Sequence, residues 1–166
     1  DRILFGNENQ EVKKIGVCWV ATNKVIEQAL EKGINFIISH ENIFYTMGTH
    51  IETKLIESVE HKKELLRKGN ICVYRCHDVW DSIPNYGVSD VWAKKLGFDF
   101  KDRAINSYYQ HAIIPKQTVS ELAKHVSNVL KSDGEEGVYV FGNVNKEVSH
   151  LAIGTGAGTD IFEMLE

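Results

Sequence analysis

Two short clusters of histidine and carboxylate residues each follow an apolar run that is typical of a strand. His40 and Glu41 come directly after the run 34–39, and His77 and Asp81 follow the run 71–74. In a parallel α/β sheet, the carboxyl ends of the strands form the crevice in which ligands bind. Imidazole and carboxylate groups at such an edge are ligands for divalent cations such as zinc, manganese and iron. The sequence therefore predicts a metal site, although either cluster alone would also suit an exposed loop.

The four-residue separation of His77 and Asp81 suits one face of a helical turn. Asp81 is a candidate for direct metal ligation, whereas His77 is either a ligand or a base beside the metal. The alternative is a capping aspartate next to a surface histidine. Asp78 is a weaker candidate, because we expect its side chain to diverge from that of Asp81. Trp80 is predicted to belong to the core rather than to a pocket wall.

The elements that must position these residues alternate between strand and helix. Strands are predicted over 14–20, 34–39, 70–76, 137–142 and 148–153, with a strand end at 112–115, and helices over 22–33, 51–68, 88–96, 118–130 and from about 159. This order predicts an α/β fold with a largely parallel sheet flanked by helices. The chain shows no internal linker, so a single domain over residues 1–166 is expected.

Composition excludes several classes of function. The 166 residues carry a net charge of −4, which lacks the basic footprint of a nucleic-acid-binding protein. No apolar run approaches the length of a membrane span. The three cysteines, Cys18, Cys72 and Cys76, are odd in number, and two lie in strand-like runs. This usage indicates reduced thiols and a cytoplasmic protein.

Other residues carry weaker signals. The run Gly154–Gly158 would suit anion binding at a helix N-terminus, or simply a tight turn that needs glycine. Tyr108, Tyr109 and His111 would line a substrate cleft or, as the preferred interpretation, occupy an edge strand. Four further histidines have no carboxylate nearby in the predicted elements and are expected at the surface: His50, His61, His125 and His150.

Three stretches together resemble the Nif-three-like dinuclear metal proteins, also known as GTP cyclohydrolase I type 2 homologs. The segment Ser39–Asn42 is similar to a Thr-His-His-Pro element of that family. The segment His77–Asp81 is similar to its His-Thr-Asn-Leu-Asp element, and Gly87–Asp90 to the Gly-Val-Asn-Asp helix start that follows. The likeness extends over essentially all 166 residues and implies a layered Nif-three-like fold.

The resemblance implies a role for each residue at a matching position. His40 and Asp81 would bind the metal, and Glu41 stands where the family has a second histidine. His77 would lie beside the metal as a ligand or as a proton-transfer group. The cofactors would be zinc, iron or manganese, up to two ions per subunit. The family supplies a further histidine and glutamate from a carboxy-terminal segment, so this chain is expected to be part of a longer protein.

Two functions of different class follow from this resemblance. The first is a metal-dependent hydrolase of a nucleotide-like or phosphorylated small molecule, because paired metals suit hydrolysis. The second is a metal-binding oligomeric protein with a regulatory or scaffold role and no turnover. The resemblance also implies a toroidal homo-hexamer, and neither a membrane nor a nucleic acid is expected as a partner.

Overall fold

The structure is a computed structural model that describes residues 1–44, 53–101, 103, 107–156, 162 and 164. The chain divides into two compact units, Asp1–Val79 and Trp80–Glu166. The single domain over residues 1–166 stays a prediction. In the described part of the chain, no helix is both long enough and apolar enough to cross a bilayer.

The first unit is built on a four-stranded sheet. Its elements are β1 (Arg2–Phe5), β2 (Ile15–Cys18), α1 (Asn23–Glu31), β3 (Phe36–Ser39), α2 (Thr53–Lys68), β4 (Cys72–Arg75) and the start of α3 (Asp78–Ser82). The strand order is β1-β4-β3-β2. Strands β2, β3 and β4 run parallel, and β1 pairs antiparallel with β4. The predicted α/β fold with a largely parallel sheet flanked by helices is therefore confirmed.

The two inner strands of this sheet are apolar because helices cover them. Ile37 of β3 and Val73 of β4 are fully buried and pack in one cluster with Ile26 of α1 and Leu66 of α2. Helix α1 begins where the sequence predicts, since the side chain of Thr22 accepts a hydrogen bond from the backbone N–H of Val25. Such a cap contributes about 1 kcal/mol to helix stability. Buried parallel strands between helices end at one edge, and the metal-ligand candidates follow those ends.

The second unit contains an antiparallel strand pair and two longer helices. Its elements are α4 (Val88–Leu96), β5 (Tyr109–Thr118), α5 (Val119–Leu130), a 3₁₀ turn (Lys131–Asp133) and β6 (Glu147–Gly154). Strands β5 and β6 pair antiparallel. Thr118 and Glu121 form a reciprocal capping box at the start of α5. The predicted helices 88–96 and 118–130 and the strand 148–153 are confirmed.

Two sequence predictions about elements are wrong, and one strand was missed. The strand end predicted at 112–115 lies inside β5, which continues to Thr118, because the register shift between Ile113 and Gln117 accommodates Pro115. Residues 137–142 form no strand, and Tyr139 within them is 95% exposed. Their run of four β-branched and aromatic residues between two glycines is typical of a strand, but they lack a partner strand in the part of the chain that the structure describes. Strand β1 was missed, because its four residues are too short to show a period. The helix predicted from about Thr159 lies largely outside the described residues.

Candidate metal site

The turn after β3 is held by a network of backbone and hydroxyl hydrogen bonds. The N–H groups of His40 and Glu41 donate to the carbonyls of Cys18 and Trp19, at 3.1 and 2.8 Å. The fully buried hydroxyl of Ser39 donates to the carbonyl of Glu41 at 2.9 Å. Because the backbone on both sides is bonded, the side chains of His40 and Glu41 leave the sheet from defined positions.

Helix α3 is anchored by a carboxylate from the other end of the first unit. Asp1 accepts hydrogen bonds from the backbone N–H groups of His77, Asp78 and Val79, at 2.8, 3.2 and 3.0 Å. The Asp1 side chain is only 4% exposed, and its Oδ1 lies 3.6 Å from Arg75 Nη1. These contacts satisfy the N–H groups that the start of a helix leaves unpaired. Asp1 was missed by the sequence analysis, because no local pattern links it to α3.

Three side chains converge to form a candidate cation site. His40, His77 and Asp81 each offer one ligand atom, and these atoms lie within 4.8 Å of one another. Two imidazoles and one carboxylate are a donor set found in zinc hydrolases and iron(II) enzymes. Ligands that share one such ion lie about 3–4 Å apart, so small side-chain rotations suffice to bind it. The residues present therefore fit a divalent metal.

Ring stacking orients both imidazoles. The ring centroids of Trp19 and His40 are 4.1 Å apart, and those of His40 and His77 are 4.4 Å apart with their planes inclined by 27°. Trp19 follows β2 directly and remains largely exposed on its outer side. The indole thus covers the His40 ring, and the three rings form one column beside the site.

The two ring nitrogens of His77 have different neighbours. Nδ1 lies 3.1 Å from Asp78 Oδ1, and Nε2 lies 3.7 Å from Glu41 Oε1. Arg75 Nη1 donates to Asp78 Oδ2 at 3.0 Å, and this bond, with a smaller contribution from His77, holds the pKa of Asp78 below its usual range. A charged Asp78 accepts the Nδ1–H, which leaves the lone pair of the imidazole on Nε2. That nitrogen can then bind a metal or accept a proton.

Three of the four predicted site residues come together in the structure. The structure brings together His40, His77 and Asp81, and it places Glu41 beside His77 but outside this group of three. Glu41 as a metal ligand and His77 as a catalytic group stay predictions. The core position expected for Trp80 is wrong, since its side chain is 49% exposed on α3.

The glycine run at the end of β6 is explained in part by close packing. A Cβ at Gly154 would lie 2.6 Å from Cε1 of the Tyr109 ring, so only glycine admits that ring. Gly156 has a φ of +68°, which also favours glycine. Residues 157 and 158 lie outside the described residues, and anion binding by this run stays a prediction.

The remaining histidines differ in part from expectation. His125 is half-buried rather than at the surface, and its Nε2 lies 2.8 Å from the carbonyl oxygen of Leu96. His61 does have a carboxylate neighbour, since its Nδ1 lies 4.0 Å from Glu64 on the same helix. His150 is exposed as predicted, and His50 lies outside the described residues.

Comparison with known proteins gives one family match and several relatives. The family model Duf34/NIF3 (NGG1p interacting factor 3) matches residues 3–166. Proteins named GTP cyclohydrolase 1 type 2 homolog are similar to the chain over most of its length. The Clostridium perfringens protein is 26% identical over 96% of this chain and 62% of its own length. The Clostridium acetobutylicum protein is 25% identical over 97% of this chain and 61% of its own length.

A solved structure shares the fold. The Bacillus cereus protein related to NIF3 superimposes with a TM-score of 0.72 at 14% identity, over 98% of this chain and 72% of that one. The chain spans about three fifths of the length of the two Clostridium relatives, since the match covers 62% and 61% of their lengths.

Proposed function

Because the chain belongs to the Duf34/NIF3 family, we propose that it carries the metal-binding part of a metal-dependent hydrolase. The observation that carries the proposal is the convergence of His40, His77 and Asp81 within 4.8 Å. These three residues would hold a zinc, iron or manganese ion. Glu41, whose Oε1 lies 3.7 Å from His77 Nε2, would supply a carboxylate to a second ion.

Hydrolysis is the reaction that this donor set supports best. A bound divalent ion lowers the pKa of a bound water and polarises a phosphoryl or carbonyl oxygen. Three protein ligands leave positions open for water and substrate. Asp78 would keep the His77 ring in the tautomer whose lone pair is on Nε2. That nitrogen would then either bind the ion or, where His40 and Asp81 hold the ion without it, accept a proton from the bound water.

The substrate class proposed is a nucleotide-like or phosphorylated small molecule. Relatives are named as GTP cyclohydrolase homologs, and that name points to a nucleotide. The exposed Trp19 indole, stacked on His40, offers an aromatic face beside the ligand cluster. Aromatic faces bind nucleobases by stacking, which supports a nucleotide-like substrate.

A second candidate function is a non-catalytic, metal-binding oligomer with a regulatory or scaffold role. One observation favours it: Ile15, Val17 and Trp19 alternate along the edge strand β2 and its end, and all three are more than half exposed. Such an apolar surface suits contact with another protein chain. We propose self-association into a homo-hexamer in the cytoplasm for either function.

Turnover by the metal-loaded protein separates the two functions. The protein would be loaded with zinc, manganese or iron(II) and assayed against GTP, other nucleotides and simple phosphoesters. A metal-dependent activity that falls roughly 100-fold or more in His77→Gln, but not in the matched exposed variant His61→Gln, would support hydrolysis. Stoichiometric metal without turnover on any of these compounds would refute hydrolysis and favour the scaffold role.

A further inference from the structure

The outer face of the β5–β6 pair in the second unit carries a cavity that the metal site does not use. Its volume is about 400 Å³. Its lining includes Lys101, His111, Ile113, His150, Ala152 and Met164. The volume is within the range of small-molecule sites, about 300–1,000 Å³.

Strand register explains why a space forms between the two imidazoles. His111 lies opposite Ala152, and Ile113 lies opposite His150. Opposed residues share a face of the pair, so all four side chains project to the same side. His111 and His150 are diagonal neighbours, about 7–8 Å apart. Ala152, which lies opposite His111 and two residues from His150, contributes only a methyl group to this face.

Lys101 joins this face through the backbone. Its N–H donates to the carbonyl of His111 at 2.9 Å, and the preceding residue Phe100 forms a bridge with Ala112. The lysine thus starts from a fixed point beside β5. One ring nitrogen of His150 lies 3.3 Å from the Ser149 hydroxyl, which helps to orient that imidazole.

The lining is basic and apolar in an acidic protein. The chain has a net charge of −4, yet the residues around this cavity include a lysine, two histidines and no carboxylate among those that the structure describes. Ile113, which is largely exposed, and Met164 supply an apolar wall. Ammonium and imidazole N–H groups donate hydrogen bonds to oxyanions, and an exposed apolar wall suits the carbon skeleton of a ligand.

We propose that this cavity binds a small organic phosphate. The phosphate oxygens accept hydrogen bonds from Lys101, His111 and His150, and the organic part packs on Ile113 and Met164. A phosphate is favoured over a carboxylate, because three donors line the cavity and a phosphate monoester offers three terminal oxygens. The site lies wholly within the second unit and does not depend on metal bound at His40 and Asp81.

The test uses phenyl phosphate, inorganic phosphate and phenol as probes in calorimetric titrations. The protein would carry His40→Ala and Asp81→Ala, so that metal-bound phosphate does not contribute. Phenyl phosphate should bind more tightly than inorganic phosphate, and phenol should not bind. Lys101→Gln and Ala152→Leu should each weaken phenyl phosphate binding about tenfold, whereas the exposed variant Lys94→Gln should not.

Each alternative outcome would overturn the proposal. Equal affinity of the wild-type cavity, Lys101→Gln and Ala152→Leu would place the ligand elsewhere, and phenol binding as tightly as phenyl phosphate would remove the role of the oxyanion. Circular dichroism would check that Ala152→Leu folds. If it does not, imidazole NMR shifts of His111 and His150 on addition of phenyl phosphate decide the matter: shifts in both support the site, and their absence refutes it.

Discussion

His77 shows how a single residue can be prepared for metal chemistry by its neighbours. Its backbone N–H is bonded to Asp1, its Nδ1 faces Asp78, and its ring stacks on His40. Ligating histidines commonly donate their other N–H to a carboxylate, which fixes the tautomer and raises ligand basicity. Asp78 fills that position here and is itself bonded to Arg75.

Asp78→Asn should therefore weaken metal binding. The amide oxygen is a poorer acceptor for the Nδ1–H, and an asparagine can rotate to present its NH₂ group instead. We expect metal affinity to fall about tenfold, measured by competition with a chromophoric chelator. Glu64→Gln on α2, which removes the carboxylate beside exposed His61, should leave the affinity unchanged. Equal affinities of wild type and Asp78→Asn would show that this carboxylate has no part in the site.

The sequence was informative about the candidate ligands, because His40 follows a buried strand and His77 and Asp81 are four residues apart. It was not informative about Asp1 and Trp19. The carboxylate of Asp1 accepts hydrogen bonds from residues that lie 76 to 78 positions further along the chain, and the role of Trp19 is evident only from its stacking on the His40 ring. Contacts of this kind form only in the folded chain, so no spacing of residues along the sequence predicts them.

At the scale of elements, the end of α3 is fixed by a close backbone approach at Gly87. A Cβ at this position would lie 2.2 Å from the carbonyl oxygen of Asp81 and 2.9 Å from that of Ile83. Gly87 N–H also donates to the carbonyl of Ile83 at 2.7 Å. The glycine therefore allows the chain to turn tightly after the helix that carries Asp81.

Gly87→Ala should destabilise the protein and loosen the metal site together. The backbone around Asp81 must shift to admit the methyl group, and overpacking of this kind costs about 1–3 kcal/mol. Thermal unfolding and metal affinity would be measured on the same sample. Gly137→Ala is the matched control, because its added Cβ meets no atom within 4 Å. A Gly87→Ala protein as stable as Gly137→Ala would contradict the packing described.

Helix α4 begins beside a second electrostatic anchor, in the second unit. Asp90 accepts hydrogen bonds from Arg103 Nε at 3.1 Å, from the Asn85 N–H at 2.8 Å and from the Gln110 amide at 2.5 Å. The Arg103 bond is the largest cause that lowers the pKa of Asp90, and the Asn85 and Gln110 bonds lower it further. Arg103 is almost fully buried, with its side chain 5% exposed.

Asp90→Asn should cost stability at neutral pH but not in acid. A carboxyl group whose folded pKa is depressed stabilises the fold above its unfolded pKa, about 3.9, and loses that contribution as the pH falls through the folded value. We expect a loss of about 2–3 kcal/mol in the free energy of unfolding at pH 7, because charged hydrogen bonds are removed. Urea titrations should show the difference from wild type shrinking below about pH 4. The exposed variant Asp99→Asn should show no such trend, and a pH-independent loss in Asp90→Asn would contradict this account.

Most elements follow from local pattern, and the errors have physical causes. Helices α1 and α5 are identified by the caps Thr22 and Thr118 and by apolar residues at helical spacing, although none of the residues of α5 is fully buried. The run 137–142 has the β-branched and aromatic residues of a strand, but composition alone does not supply a partner, and Tyr139 and Phe141 remain almost fully exposed. Short β1 becomes a strand only by pairing with β4.

At the scale of the whole molecule, the edge strand β2 presents the most exposed apolar side chains of the parallel sheet. Val17 is 76% exposed, with Ile15 and Trp19 on either side of it at strand alternation. An edge strand with apolar side chains favours association with another chain unless it is covered. We therefore expect the proposed self-association to depend on the apolar side chains of this strand.

Val17→Lys should therefore lower the mass of the proposed homo-oligomer. Placing a charge within an apolar contact costs the desolvation of the ammonium group, so dissociation is favoured. Sedimentation velocity of wild type and variant would measure the change. Gln28→Lys on α1 introduces the same charge at another exposed position of the first unit and should leave the mass unchanged. Identical sedimentation of Val17→Lys and wild type would exclude β2 from the contact.

Elemental analysis of the full-length protein, purified without chelator or an immobilised-metal column, tests whether the candidate site binds metal. We expect one to two equivalents of a transition metal per subunit, lost in the His40→Ala, Asp81→Ala double variant and retained in His61→Ala. Metal at background level in the wild-type protein, or metal retained in the folded double variant, would contradict a site formed by His40, His77 and Asp81.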